Sequence, residues 1–233
     1  MNSNVASGPR DPVGQQAVYV FEAPVRLWHW LHTFSFLILA VTGYLIAHPL
    51  PSPIGEPSDH FVMGNLRLIH FISAYVFAIG FAVRIYWAFV GNKYSREIFY
   101  LPIWKAKWWK ELLFEVKFYL FLTKDKDSTL GHNPLAQTAM FFLNTLFTFF
   151  MIGTGFALYG QGLGDGSWAD RMFGWIIPLL GGGQAVRNWH ILGMWIMLMF
   201  AIIHMYMAAR ADIMGRKSSV SAMIGGWRLF RDE

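Results

Sequence analysis

The 233-residue chain is 55% hydrophobic and only 14% charged, with a mean hydropathy of +0.37; a soluble domain carries roughly 25% charged residues, so an ordinary soluble fold is excluded in favour of an integral membrane protein. With no cysteine, the chain cannot form disulfides, cysteine-ligated iron–sulfur clusters or thiolate zinc sites, and any metal must be held by His, Met or oxygen. The formal charge of +5 would suit nucleic acid, but it is distributed along the chain as the positive-inside rule distributes it.

Taken in order, residues 1–17 are polar, contain Pro9 and Pro12, and read as a disordered cytoplasmic tail. They do not read as a signal peptide, because the first apolar run starts late, is as long as a membrane span, and is followed by no small-residue cleavage site. That first span is expected over about 28–47 and opens with Arg26–Trp30, which sets a cation, two indoles and His29 at one interface. The linker from His48 to Met63 is rich in Pro and Gly and holds no Lys or Arg. A second span is expected over about 66–90, with His70 near its start and Arg84 near its end.

The most basic stretch follows, Gly91–Leu130, with eight Lys/Arg interleaved with Trp104, Trp108, Trp109 and Tyr119. Trp104–Leu122 is expected to form an amphipathic helix lying in the interface, the alternative being a solvated charged loop. Gly131–Pro134 introduces a third span over about 134–159. The glycine-rich connection Gly160–Arg187 contains a short apolar piece, Met172–Leu180, too short to span and expected to be re-entrant or part of a docking surface. The fourth span, about 188–210, carries His190 and His204, and residues 216–233 form a basic tail.

Because the central loop and the C-terminal tail carry most of the Lys and Arg, both termini and the 91–130 loop are placed in the cytoplasm. The spans must be helical, since a barrel needs alternating ten-residue strands. The expected fold is therefore an all-α integral membrane protein, a four-helix transmembrane bundle over 18–215, with an interfacial cytoplasmic helix between spans two and three. No internal repeat is evident.

Depth then sorts the histidines. His190 and His204 are fourteen positions apart, about four turns and about 21 Å of helix, so they share a face but not a metal ion. His70 pairs by level with His190 on the outer side, and His29 with His204 on the inner side. Each level offers one imidazole from each of two helices, the arrangement that ligates haem iron in a bundle. Without cysteines the haem would be b-type. An ionisable group in a span is a functional-site hypothesis by default, although one histidine at a helix end is more often an interfacial hydrogen bonder. His32 lies one turn from His29 on nearly the same face, so the choice between them stays open, with His29 preferred. Arg67 and Arg187 each precede a histidine by three residues and suit the propionates of the outer haem, as Arg26 suits the inner; all three equally suit interfacial anchoring. Gly43, Gly80, Gly153, Gly155 and Gly193 offer either close approach to a porphyrin or plain helix packing.

The blocks YVFEAPVRLWHW (Tyr19–Trp30), MGNLRLIHF (Met63–Phe71), RIYWAFVGNKYSRE (Arg84–Glu97), GHNPLAQTAMF (Gly131–Phe141) and NWHILGMW (Asn188–Trp195), with the IIHMYMAAR end, resemble the b-type cytochrome subunit of membrane-bound nickel–iron uptake hydrogenases, a family related to the membrane cytochromes of formate dehydrogenases. The resemblance runs from Tyr19 to about Trp227. It implies a di-haem cytochrome of the bacterial inner membrane that anchors a periplasmic hydrogenase of small iron–sulfur and large nickel–iron subunits. Hydrogen activation would lie in those partners, and electrons would pass through outer and inner haems to quinone. The family's haem ligands fall on His29, His70, His190 and His204. More loosely, His132, Asn133 and Gln137 resemble a quinone-site stretch, in which His and Asn supply a donor and a proton source; GHNP reads equally as a helix start, with Asn133 as N-cap and Pro134 at N1. Two rivals remain at this point. One is a formate dehydrogenase or thiosulfate reductase cytochrome. The other is a haem-free anchor or proton-relaying transporter, disfavoured because no span holds an Asp or Glu.

Overall fold

The computed structural model describes residues 7–10, 15–51, 54–56, 60–120, 122–123, 134–215 and 219–231. The chain is mostly helical, and four of its helices are long and apolar enough to cross a membrane: Ala23–Ala47 (α1), Val62–Val90 (α2), Pro134–Leu163, and Gly183–Arg210 within the longer α8, Gly183–Gly215. All four expected spans are present, and each is longer than its apolar run. About 20 helical residues cross the hydrocarbon layer, so the extra turns carry polar residues such as Arg26 and Asn65 beyond it.

Between the second and fourth spans the chain forms α3 (Ala106–Tyr119), α4 (Pro134–Ala139), α5 (Phe147–Leu163), α6 (Trp168–Phe173) and α7 (Ile176–Leu179). A seven-residue π-helical stretch, Met140–Leu146, joins α4 to α5 inside the third span. There the buried Thr145 turns its hydroxyl out of its own helix and donates to the Ile98 carbonyl at 2.9 Å. A widened turn of this kind frees a side chain to bond outside its own helix.

The chain divides into two compact units, Met1–Leu27 with Arg84–Leu146 and Phe200–Glu233, and Trp28–Val83 with Phe147–Met199. In the first, three short strands, β1 (Ser7–Arg10), β2 (Gln15–Tyr19) and β3 (Trp227–Arg231), form one antiparallel sheet in the order β1-β2-β3. This differs from the expected tails at 1–17 and 216–233, because β2 pairs with β3 from Gln15↔Arg231 to Tyr19↔Trp227. The pairing turns on Gly226, which follows helix α9 (Ser219–Gly225) at φ 86° and accepts at its carbonyl from the amides of Val20 and Phe21. A Cβ there would stand 2.7 Å from the Phe21 carbonyl oxygen, so the position requires glycine. Val20, Phe21, Val25, Tyr94 and Ala222 bury themselves alongside. Desolvation lowers the pKa of Arg228 in β3, opposed by the charges of Glu97 and Asp212.

Two polar devices close the basic end of α2. The Glu22 carboxylate accepts from Trp87 Nε1 and the Asn92 amide, both at 2.9 Å, and from Ser95 Oγ at 3.2 Å. Arg84, buried, donates to the Ser95 carbonyl at 2.6 Å, and Arg96 Nε donates to the Ala88 carbonyl at 3.0 Å, satisfying a helix-end acceptor that has no partner in its own helix. Helix α3 buries Trp108 and exposes Trp109 and Leu113, an apolar outer face that suits an interfacial position.

In the second unit, α6 lies against α5 so closely that a Cβ on Gly160 would be 2.7 Å from the Asp170 amide nitrogen. Ala157, Ile176 and Val186 form the core there, and Phe156 stacks on Phe173 at 5.3 Å. Met172–Leu180, expected to be re-entrant or a docking surface, is folded into the ends of α6 and α7, with Met172, Trp175 and Leu179 exposed.

Candidate functional site

Within the second unit, two helix crossings repeat one arrangement. On α1, Thr42 is followed by Gly43, and His70 of α2 faces them; on α5, Thr154 is followed by Gly155, and His190 of α8 faces them. Thr42 Oγ1 lies 2.8 Å from His70 Nδ1, and Thr154 Oγ1 lies 2.8 Å from His190 Nδ1. Each threonine also donates to the carbonyl four residues back, Ile38 and Phe150 respectively, at 2.7 Å. A hydroxyl has one hydrogen to give, so each threonine oxygen accepts from the imidazole.

The glycines make room for the same rings. A Cβ at Gly43 would be 3.2 Å from His70 Cε1, and one at Gly155 would be 3.2 Å from His190 Cε1. The other three glycines singled out in the sequence serve packing: Gly80 meets Leu31, Gly153 meets Ile176 and Gly193 meets Met151. Sequence reasoning noticed the two site glycines but missed both threonines. Their signal was a repeated Thr–Gly–aromatic triplet, Thr42–Tyr44 and Thr154–Phe156.

His70 and His190 are both half-buried. Among the described residues no three His, Asp or Glu side chains converge as a ligand set for a bare metal ion. Two imidazoles, by contrast, are what haem iron takes when the porphyrin supplies its other four ligands. The residues fit that group: Nδ1 is engaged in each ring, which leaves Nε2 as the nitrogen that would coordinate.

His29 is half-buried on α1, edge-on to Trp30 at 5.3 Å, and its Nδ1 is enclosed with no hydrogen-bond partner among the described residues. His204 on α8 stacks on Phe200 at 5.7 Å. His32 is buried, stacked on Phe77 at 4.1 Å and tilted against Trp28 at 4.8 Å. Its ring serves as one member of an aromatic stack.

Arg67 and Arg187 are exposed, and Arg187 Nη1 reaches Gln184 Oε1 at 3.4 Å. Arg26 donates to the Ile224 carbonyl. Gln137 is buried with its amide fully engaged: it donates to the carbonyls of Glu97 at 3.1 Å and Tyr100 at 2.6 Å, and accepts from Trp108 Nε1 at 3.2 Å. His132 and Asn133 lie outside the described residues.

Residues 20–226 match the family described as prokaryotic cytochrome b561. A probable Ni/Fe-hydrogenase B-type cytochrome subunit of Azotobacter chroococcum mcd 1 is 55% identical over 219 residues, covering 94% of this chain and 91% of the relative. The Bradyrhizobium diazoefficiens protein of that name is 53% identical over 227 residues, covering 97% and 92%. A probable Ni/Fe-hydrogenase 1 B-type cytochrome subunit of Escherichia coli K12 is 47% identical over 214 residues, covering 90% of each.

Proposed function

We propose, on the premise that this chain belongs to the prokaryotic cytochrome b561 family, that it is the di-haem membrane subunit that anchors a nickel–iron hydrogenase and passes its electrons to quinone. The family implies haem b and a multi-pass membrane protein, and the relatives' names supply the hydrogenase. The observation that carries the reading is the doubled Thr–Nδ1 bond, which presents two Nε2 atoms in one unit. Bound haem supplies one-electron redox chemistry; position, tautomer and exclusion of water come from the protein.

His70 and His190 hold the outer haem in this reading, and His29 and His204 the inner. Packing supports His29 over His32, whose ring is taken up by Phe77 and Trp28. Arg67 and Arg187, exposed and one turn before the outer ligands, suit propionates, and Arg26 suits the inner pair. A quinone at the start of the third span would meet His132, Asn133 and Gln137. Gln137, held by Glu97, Tyr100 and Trp108, shapes the wall; the imidazole and amide of the other two supply a donor and a proton source.

The basic residues support placing both termini and the 91–130 loop on the cytoplasmic side of the bacterial inner membrane. Pairing of β2 with β3 agrees with an even number of crossings, since it brings the two terminal segments into one sheet.

Purification of the chain from membranes in mild detergent tests the reading. The expected preparation contains the hydrogenase small iron–sulfur and large nickel–iron subunits, reduces quinone with hydrogen, and takes up a photoreactive quinone at the start of the third span. A formate-oxidising or thiosulfate-reducing partner would replace the assignment with its rival, and label at the His70–His190 end would reverse the quinone side.

A further inference from the structure

We infer that Thr42 and Thr154 are positioning residues that fix the tautomer and electron donation of His70 and His190, and that Thr42–Gly43 and Thr154–Gly155 are two copies of one half-site. The inference rests on the proposed ligation of haem by those two histidines.

Each threonine spends its only hydrogen on its own helix, 2.7 Å from the Ile38 or the Phe150 carbonyl. Its oxygen can meet an imidazole nitrogen 2.8 Å away only as an acceptor. The proton of each ring therefore sits on Nδ1, and the lone pair on Nε2. In a membrane span no bulk water competes for Nδ1, so the assignment is held firmly.

The glycine next to each threonine sets the ring's distance from the helix. Cε1 lies between the two nitrogens, and at 3.2 Å from the virtual Cβ it rests almost on the backbone. A larger side chain would push that edge away, swing Nε2 and break the threonine bond together. Threonine and glycine thus act as one clamp, one residue naming the nitrogen that coordinates and the other setting where it stands. The same clamp occurs on α1 against α2 and on α5 against α8, so both ligands of a single haem would be set alike.

An acceptor on Nδ1–H makes an imidazole more basic and favours the oxidised iron. Removing it favours the reduced form. The test uses the full-length chain with its native haem and the variants Thr42→Val, Thr154→Val, Thr42→Ser and Thr154→Ser, with His70→Ala marking which spectral component is the outer haem. At a fixed applied potential, each valine variant should raise the reduced-to-oxidised ratio of that component about threefold, about 28 mV at 59 mV per tenfold for one electron. The serine variants, which keep the hydroxyl, should titrate as the unaltered protein does. Haem loss with valine but not with serine also supports the clamp. Valine titrations that superimpose on the unaltered protein, or serine variants that behave as valine, would overturn it. If instead His70→Ala leaves every haem in place, the ligand assignment fails, whatever the threonines do.

Discussion

Alanine at His70 or His190 is expected to cut hydrogen-driven quinone reduction by more than about 100-fold, while hydrogen oxidation with a soluble dye continues in the partner subunits. The size follows from the proposed place of the two rings: losses outside the first coordination shell already cost about 10–100-fold in metal affinity, and these substitutions would remove a proposed ligand itself. They also leave Thr42 or Thr154 with an oxygen that has lost its donor, which costs more inside a bilayer than in water. The two substitutions should give the same spectral loss, because both rings would serve one haem. A haem-free anchor predicts the opposite, with both rates unchanged. Two different losses would break the pairing of His70 with His190.

The second large effect separates His29 from His32. Alanine at His29 should remove the inner haem and halve the haem content, whereas His32→Phe should keep both haems and change stability by less than about 1.5 kcal/mol. The reason lies in what surrounds each ring. His32 is enclosed by aromatic faces, Phe77 at 4.1 Å and Trp28 at 4.8 Å, with Phe81 at 6.4 Å, and a benzene ring fills that slot as well as an imidazole does. His29, by contrast, meets Trp30 edge-on at 5.3 Å and is not stacked between aromatic faces among the described residues. Haem content and the reduced-minus-oxidised spectrum of the two variants decide the matter. Loss of haem in His32→Phe with retention in His29→Ala would reverse the assignment.

The spans were legible because a bilayer imposes a length and a composition that one chain displays openly. The proposed depth sorting of the histidines rests on the same count. What remained hidden depends on partners distant in sequence. Strand β2 is five residues long and reads as a polar tail until Trp227–Arg231 is placed beside it. The π-helical stretch is as apolar as the rest of its span apart from Asn144 and Thr145, and what distinguishes it is the bond from Thr145 to Ile98 in the basic loop. Thr42 and Thr154 looked like ordinary small polar residues of a span, since a Thr–Gly pair acquires meaning only when a histidine of the next helix stands opposite it. Gly43 and Gly155 were visible as places of close approach, but what approaches them was not.

The number of b-type haems per chain in the purified protein, from extracted-haem absorbance against protein mass, tests the di-haem reading most directly. Two are expected, with alanine at His70 or His190 removing one and alanine at His29 or His204 removing the other. A single haem, or none, would contradict it.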